Sequence, residues 1–482
     1  MSQYMELREK WPAFIYEDYE IEETEEEIQV RYRFRIPGLS AFAPEWKFPK
    51  NPSVCGGLRG VREDPVFRNL IFSLGMVELI SYWKICCPPT VWVEAGRLDR
   101  EQIVWWKNLY YNGLGEFFYT NRIQEADPET FMEIRCRMSG FSETACERKE
   151  DRALQSELSA GGASRHEAET LPPLNGCLIP VGGGKDSVVT MELVKKAGMD
   201  SMVYVINPRG ATVSCSRAGG YGPDRQAMVS RTLDQNMLCL NREGYLNGHT
   251  PFSAIVAFSA VAAAYLYRLK YVVLSNESSA NESTVPGSTV NHQYSKSFQF
   301  EADFNSYERN YLHSGVYYFS LLRPLSEFQI ARYFAKLKQY HPVFRSCNVG
   351  SKQDVWCGHC PKCLFVYLIL SPFLSQEELR QMFGADMLND SSLTGTLEQL
   401  VGIQEEKPFE CVGSRSEINA AIVMTIGRME RDGEELPALL RYYRQSSLYE
   451  VHARRDHGYF TYYDNENLLP EEFEKVLRRE CL

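Results

Sequence analysis

Between Ile28 and Ile36 apolar and polar residues alternate: Ile28, Val30, Tyr32, Phe34 and Ile36 are separated by Gln29, Arg31, Arg33 and Arg35. A period of two predicts a half-buried strand, ended by Pro37-Gly38. The acidic run Glu22–Glu27 just ahead of it predicts a solvated face. Residues 69–83 are an apolar run of helical length and predict a buried helix, with a strand near Val91–Val93. The stretch 105–119 is densely aromatic and predicts core. Residues 147–170 are charged, rich in Ser, Gly and Ala, and without apolar period, as in a linker or exposed insertion. After it, short apolar strands (Gly176–Val181, Met202–Ile206, Tyr271–Leu274) alternate with helices (Ser187–Ala197, Thr250–Leu269, Ser326–Tyr340). Such alternation predicts an α/β domain with a mainly parallel sheet. Past residue 364 the pattern is mostly helical.

These patterns divide the chain into an N-terminal α+β domain (1–146), a charged linker (147–172), an α/β domain (173–345) and a C-terminal region (346–482). With 482 residues, 44% hydrophobic and 24% charged, the composition is that of a soluble globular protein. The net charge of −11 weighs against nucleic acid as a partner and leaves small anionic substrates open. Pro251–Leu269, the most apolar long stretch, is bounded by Arg268 and Lys270 and predicts a buried helix rather than a membrane span. The N-terminus MSQYMELREKWPAF lacks the apolar run of an export signal, so a cytoplasmic location is expected.

The segment Leu178-Ile-Pro-Val-Gly-Gly-Gly-Lys-Asp-Ser187 runs from a strand through three glycines into a helix. Gly182, Gly183 and Gly184 let a ligand come close to the backbone, and the N–H groups at a helix start attract anions. Lys185 adds a positive charge, and the Ser187 hydroxyl is a donor. Asp186 stands where a helix N-cap or a Mg²⁺-associated carboxylate would stand. A Walker A loop needs G-x-x-x-x-G-K-[ST], whereas here Asp186 follows the lysine and position 179 is Ile. The loop instead resembles the Ser-Gly-Gly-x-Asp-Ser loop of PP-loop ATP pyrophosphatases, with Gly182 in place of the usual serine. That resemblance implies cleavage of ATP to AMP and pyrophosphate, with one hydroxyl donor missing.

Of fourteen cysteines, Cys347, Cys357, Cys360 and Cys363 are clustered as C-x9-C-x2-C-x2-C. Four thiolates in two tight turns suit a closed, structural Zn²⁺ site; a redox pair or iron–sulfur cluster would use the same ligands. His359, inside the knuckle, is read as a bystander. In a large chain with no export signal the other cysteines predict small buried hydrophobes. Asn247-Gly-His-Thr-Pro-Phe252 precedes the apolar helix, with Thr250 as expected N-cap and Pro251 at N1. His249 has no such explanation. Ser275, Asn276 and Glu277 follow the end of a strand, where ligands of open α/β sheets bind; Val290–Ser297 follows a loop. His249, Glu277, His292 and Lys296 are the candidate acid/base groups.

Taken together, the loop at 182–187, the segment 247–252, SNES at 275–278, NHQYSKS at 291–297 and CGHCPKC at 357–363 resemble the UDP-N-acetyl-α-D-muramoyl-L-alanyl-L-glutamate epimerases. So do Ser81-Tyr-Trp-Lys84, Gly113-Leu-Gly-Glu-Phe-Phe-Tyr119 and Lys407-Pro-Phe-Glu-Cys-Val-Gly413. The resemblance spans roughly residues 70–415 and departs at the charged stretch 147–170. It implies a PP-loop domain at 173–345 and ATP- and Mg²⁺-dependent inversion of the terminal glutamate of a UDP-muramoyl dipeptide. The aromatic richness of 83–119 then predicts that the N-terminal region, Trp83 included, covers the cleft and binds part of the UDP-sugar peptide. Two other readings share features: a 7-cyano-7-deazaguanine synthase-like or other adenylating enzyme, and a zinc-knuckle nucleic-acid-binding or tRNA-modifying protein.

Overall fold

The computed structural model describes residues 2–50, 60–136, 172–281, 294–408, 410 and 412–482. The expected linker at 147–170 and His292 lie outside them. Among the described residues the strands are β1 (Ala13–Glu23), β2 (Glu27–Ile36), β3 (Ser40–Phe42), β4 (Glu45–Pro49), β5 (Thr90–Val93), β6 (Glu133–Cys136), β7 (Cys177–Pro180), β8 (Ser201–Ile206), β9 (Gln226–Thr232), β10 (Tyr271–Leu274) and β11 (Tyr317–Ser320). They form a single mixed sheet in the order β11-β10-β7-β8-β9-β4-β2-β1-β5-β6, with β3 on β2. The half from β11 to β9 is entirely parallel, as strand–helix alternation requires. The other half is mixed, and the two are stitched by the antiparallel pair β4–β9, where Trp46 faces Arg231.

The alternating segment is β2, and its apolar residues Ile28, Val30, Tyr32, Phe34 and Ile36 are all buried. The apolar run at 69–83 lies in a helix, Pro65–Trp83, started by Asp64, whose side chain accepts from the Phe67 N–H, and by Pro65. It packs against the helix Phe252–Leu266, whose Ala257, Ala260, Ala262, Ala263 and Ala264 are buried. The most apolar stretch is therefore an internal helix, and no helix among the described residues is long and apolar enough to cross a membrane. Phe258 from this helix sits among Trp105, Trp106, Phe304 and Tyr307, with ring centroids 4.9–6.1 Å away. Most of the aromatic stretch is core, as its composition predicts, while Tyr119 is exposed.

Three expectations change. Thr250 is not the helix cap: the helix starts at Phe252 with Pro251 at the cap, and the Thr250 hydroxyl instead accepts a hydrogen bond from Lys84 Nζ (2.8 Å). Trp83 does not face a cleft; it is fully buried, and its indole N–H donates to the Pro88 carbonyl (2.8 Å). The helix expected over Ser326–Tyr340 stops at Phe334, with Ser326 as its cap and a separate 3₁₀ turn at Lys338–Tyr340.

Candidate functional site

In the parallel half the chain proceeds from β7 to β8 and β9 on one side, then returns to the other side of β7 with β10 and β11. The strand order reverses between β7 and β10, and a crevice opens outside the carboxyl ends of strands at such a point. A cleft of about 560 Å³ lies there, within the usual range of ligand pockets. Gly182, Gly184, Asp186 and Ser187 follow β7, Arg209 follows β8, Ser275, Asn276 and Glu277 follow β10, and all line the cleft with Lys296 and Glu327.

The turn after β7 is shaped by close approach. Gly183 has φ +82°, and a Cβ there would lie 2.9 Å from Ala211 Cβ, so only glycine fits without strain. Gly184 caps the helix Lys185–Lys196. Asp186 is not the helix cap but stands in the first helical turn, and it lines the cleft. The Ser187 hydroxyl donates to the Gly184 carbonyl (3.0 Å).

Lys185 is buried and pairs with both Asp186 and Glu327. Burial opposes its charge, but the two carboxylates outweigh it and hold the ammonium above its ordinary range. Glu327 begins the helix Glu327–Phe334, and its N–H donates to Glu417 Oε1 (2.8 Å). Burial pushes its carboxyl up, with Asp186 and Glu277 acting in the same direction, and Lys185 and Lys362 oppose the rise. Nothing local in Ser326-Glu327-Phe328 marks this glutamate; contact with Lys185, distant in sequence, makes it part of the site.

Arg323, just past β11, was also not legible. It is fully buried and pairs with buried Glu301 (3.0 Å). Its guanidinium donates to the carbonyl of Glu277 (2.9 Å) and to that of Lys296. The two predicted acid/base residues thus share one rigid bracket, and both line the cleft.

His249 does not line the cleft among the described residues. Its Nδ1 lies 3.3 Å from Glu116 Oε2, three residues ahead of Phe252, which does line it. Lys84 Nζ donates to the Gly248 carbonyl and the Thr250 hydroxyl, and Ser81 Oγ accepts from Arg231 (3.1 Å). Gly113 lets Pro251 approach, since a Cβ there would meet Pro251 Cβ at 2.7 Å. The segments 81–84, 113–119 and 247–252 therefore form one support for the start of the helix Phe252–Leu266.

Burial, with help from Arg231, lowers the Lys84 pKa from 10.5 to about 8. Below pH 8 lysine is charged in both folded and unfolded chains; between about 8 and 10.5 only the unfolded chain holds the proton, so stability rises with pH. The stability of the wild type relative to Lys84→Met is expected to be flat below pH 8 and to rise by about 3 kcal/mol across that window in chemical denaturation. A flat difference throughout would contradict the assignment of Lys84 as a buried group that loses its proton in the folded chain.

The four clustered cysteines come together, every pair of sulfurs within 4.8 Å. Cys347–Cys360, Cys357–Cys363 and Cys360–Cys363 are 3.9, 3.7 and 3.5 Å apart. Backbone N–H groups of Gly350 and Cys357 point at Cys347 Sγ (3.0 and 3.4 Å). The exposed ring of His359 bonds back to the Cys357 carbonyl (2.8 Å) and is not part of the sulfur set. The knuckle adjoins the cleft, which Cys347 and Lys362 also line. Of the other cysteines described, Cys86, Cys87, Cys177, Cys215 and Cys481 are buried.

A glycine turn at a helix start and bracketed ionisable groups at the switch point of an α/β sheet fit an α/β enzyme with a polar cleft. The chain belongs to the MurL family: residues 5–321 match the MurL N-terminal domain and residues 343–453 the MurL C-terminal domain. It is 34% identical over 365 residues, 74% of each chain, to the UDP-N-acetyl-alpha-D-muramoyl-L-alanyl-L-glutamate epimerase of Xanthomonas oryzae pv. oryzae. It is 38% identical over 380 residues, 76% of this chain and 75% of the other, to the protein of that name from Salinispora tropica. An epimerase is an isomerase, and the chain is an enzyme of that class. No solved structure matches it.

Proposed function

We propose that the chain inverts the terminal L-glutamate of UDP-N-acetylmuramoyl-L-alanyl-L-glutamate to D-glutamate in peptidoglycan precursor synthesis, using ATP and Mg²⁺ and releasing AMP and pyrophosphate. The observation that carries this reading is the convergence, at the ends of β7 and β10, of the turn 182–187 with Glu277 and Lys296 in a chain whose relatives bear that epimerase's name. On this reading 173–345 is a PP-loop domain between the N-terminal α+β domain (1–146) and the C-terminal region (346–482), in a cytoplasmic protein. Gly182, Gly183 and Gly184 admit the phosphates to the backbone, and the helix start supplies donors, joined by Ser187 once its hydroxyl turns from the Gly184 carbonyl. Lys185, held between the carboxylates of Asp186 and Glu327, fixes the turn's shape. Asp186 would offer carboxylate oxygen to Mg²⁺, and the ion when bound would neutralise phosphate charge.

The chemistry explains the use of ATP. A carboxylate's negative charge opposes loss of the neighbouring Cα proton. An oxygen of the glutamate α-carboxylate attacks the α-phosphorus, the bond to pyrophosphate breaks, and the carboxyl becomes a neutral acyl group that can accept enolate charge. Every 1.36 kcal/mol thereby removed from the barrier is tenfold in rate. One side chain takes the Cα proton, and it or a second returns a proton on the opposite face. Water then cleaves the acyl–phosphate anhydride and AMP departs. Glu277 and Lys296, bracketed by Arg323, are the acid/base groups the cleft supports best; His292 stays a candidate, and His249 supports the cleft wall through Glu116.

Cys347, Cys357, Cys360 and Cys363 hold structural Zn²⁺ on the same reading. Tetrahedral zinc with Zn–S bonds of about 2.3 Å spaces sulfurs by about 3.8 Å, which the 3.5–3.9 Å separations fit. Incubation with ATP, Mg²⁺ and the UDP-muramoyl dipeptide in D₂O is expected to yield AMP together with deuterium at the glutamate Cα. AMP without deuterium would leave only an adenylating ligase, and neither product would leave a binding protein.

A further inference from the structure

The glycine turn has a second wall. The N–H of Arg345 donates to the Gly183 carbonyl (2.8 Å), which pins the segment Arg345-Ser346-Cys347 across the turn. A Cβ built on Gly184 would lie 3.1 Å from Ser346 Cβ and 3.8 Å from its Oγ, so the serine hydroxyl sits over the helix start. Arg345, Ser346 and Ser275 all line the cleft. Arg345 Nε, Ser346 Oγ and Ser275 Oγ are each buried with no hydrogen-bond partner in the protein. Buried polar atoms are nearly always paired. Three orphans around one cleft, two on a strap tied to an anion-facing turn, fit a ligand rich in acceptor oxygens.

The turn itself lacks a hydroxyl at Gly182, where a Cβ would have open space, with no atom within 4 Å. The strap is also held from its far side, since Ser346 precedes Cys347 in the four-sulfur cluster.

We propose that Ser346 and Arg345 complete the polyphosphate cradle beside Gly182–Ser187, the Ser346 hydroxyl taking the place of the donor absent at Gly182. This rests on the nucleotide reading above and assigns pyrophosphate-binding donors to residues outside the loop. A hydroxyl facing a charged oxygen contributes roughly ten- to a hundredfold in affinity, and a guanidinium binds phosphate through charge-assisted hydrogen bonds.

The test is calorimetric titration of the full chain with inorganic pyrophosphate and with ATP in Mg²⁺. Ser346→Ala is expected to weaken pyrophosphate binding about tenfold or more, and Arg345→Met to weaken it and reduce its salt dependence. Adding Gly182→Ser to Ser346→Ala is expected to restore most of the lost affinity, because a hydroxyl returns to the turn itself. Unchanged pyrophosphate affinity in both single variants overturns the inference while the nucleotide reading stands. Weaker binding that Gly182→Ser does not restore, accompanied by a lower Tm, gives Ser346 a structural role and overturns it too. A wild-type chain that binds neither ATP nor pyrophosphate removes the nucleotide reading and this inference with it.

Discussion

Lys185→Ala is expected to lower AMP release by at least about a thousandfold while leaving a folded, less stable protein. Removal of one preorganised electrostatic group in a dry site costs about 10²–10³ in rate, and here the loss also deforms the turn. Lys185 is the cation between Asp186 and Glu327, so the variant leaves two carboxylates facing each other in the protein. Breaking a buried pair usually costs about 3–5 kcal/mol. Burial already raises the Glu327 carboxyl, and without the ammonium beside it this residue takes a proton more readily, which offsets part of that cost. The loss of stability should therefore be smaller at pH 6 than at pH 9, which denaturation at the two values checks. Wild-type rates of AMP formation in this variant would contradict the role given to the turn.

The second large effect concerns the cysteine cluster. The protein is expected to carry one zinc per chain by elemental analysis, and strong chelation is expected to lower its Tm sharply. Structural zinc sites in small peptides contribute roughly 10–16 kcal/mol of apparent binding energy. In this chain the cluster abuts a large apolar core that includes Cys363, Leu364, Phe365 and Leu368, so metal loss should loosen the region after residue 346 before the sheet. Because the strap at Arg345-Ser346 leads into Cys347, pyrophosphate affinity should fall with it. A metal-free protein whose Tm and pyrophosphate affinity do not respond to Cys360→Ala would contradict the structural role of the cluster.

Elements whose information is local were readable from the chain. The alternation in β2, the apolar β10 and the buried helix at 65–83 each carry their period in consecutive residues, and the glycine turn and cysteine knuckle carry their chemistry in fixed spacings. β1 hid because its second half, Asp18–Glu23, alternates acids with Tyr19 and Ile21 and has no fully buried residue. β9 hid because only Ala227 and Val229 are buried along it. The bracket and second wall of the cleft were not legible for another reason. Arg323, Glu327, Arg345 and Ser346 owe their roles to partners on other segments, and no pattern around them records those contacts. Trp83 shows the converse: an aromatic residue in a recurrent motif suggests a ligand platform, yet only the packing of Phe131 against it and its bond to Pro88 reveal a core residue. Thr250 shows how a valid capping signal is overridden when a buried lysine needs the same hydroxyl.

Transfer of AMP to the carboxylate next to the carbon being inverted is the central step assigned to the cleft. The direct measurement uses substrate with ¹⁸O in the α-carboxylate of its terminal glutamate, followed by mass analysis of the AMP released. Attack of that carboxylate on the α-phosphorus, then hydrolysis at the acyl carbon, predicts one ¹⁸O in each AMP formed. AMP free of label, with both ¹⁸O atoms retained in the epimerised glutamate, would contradict it.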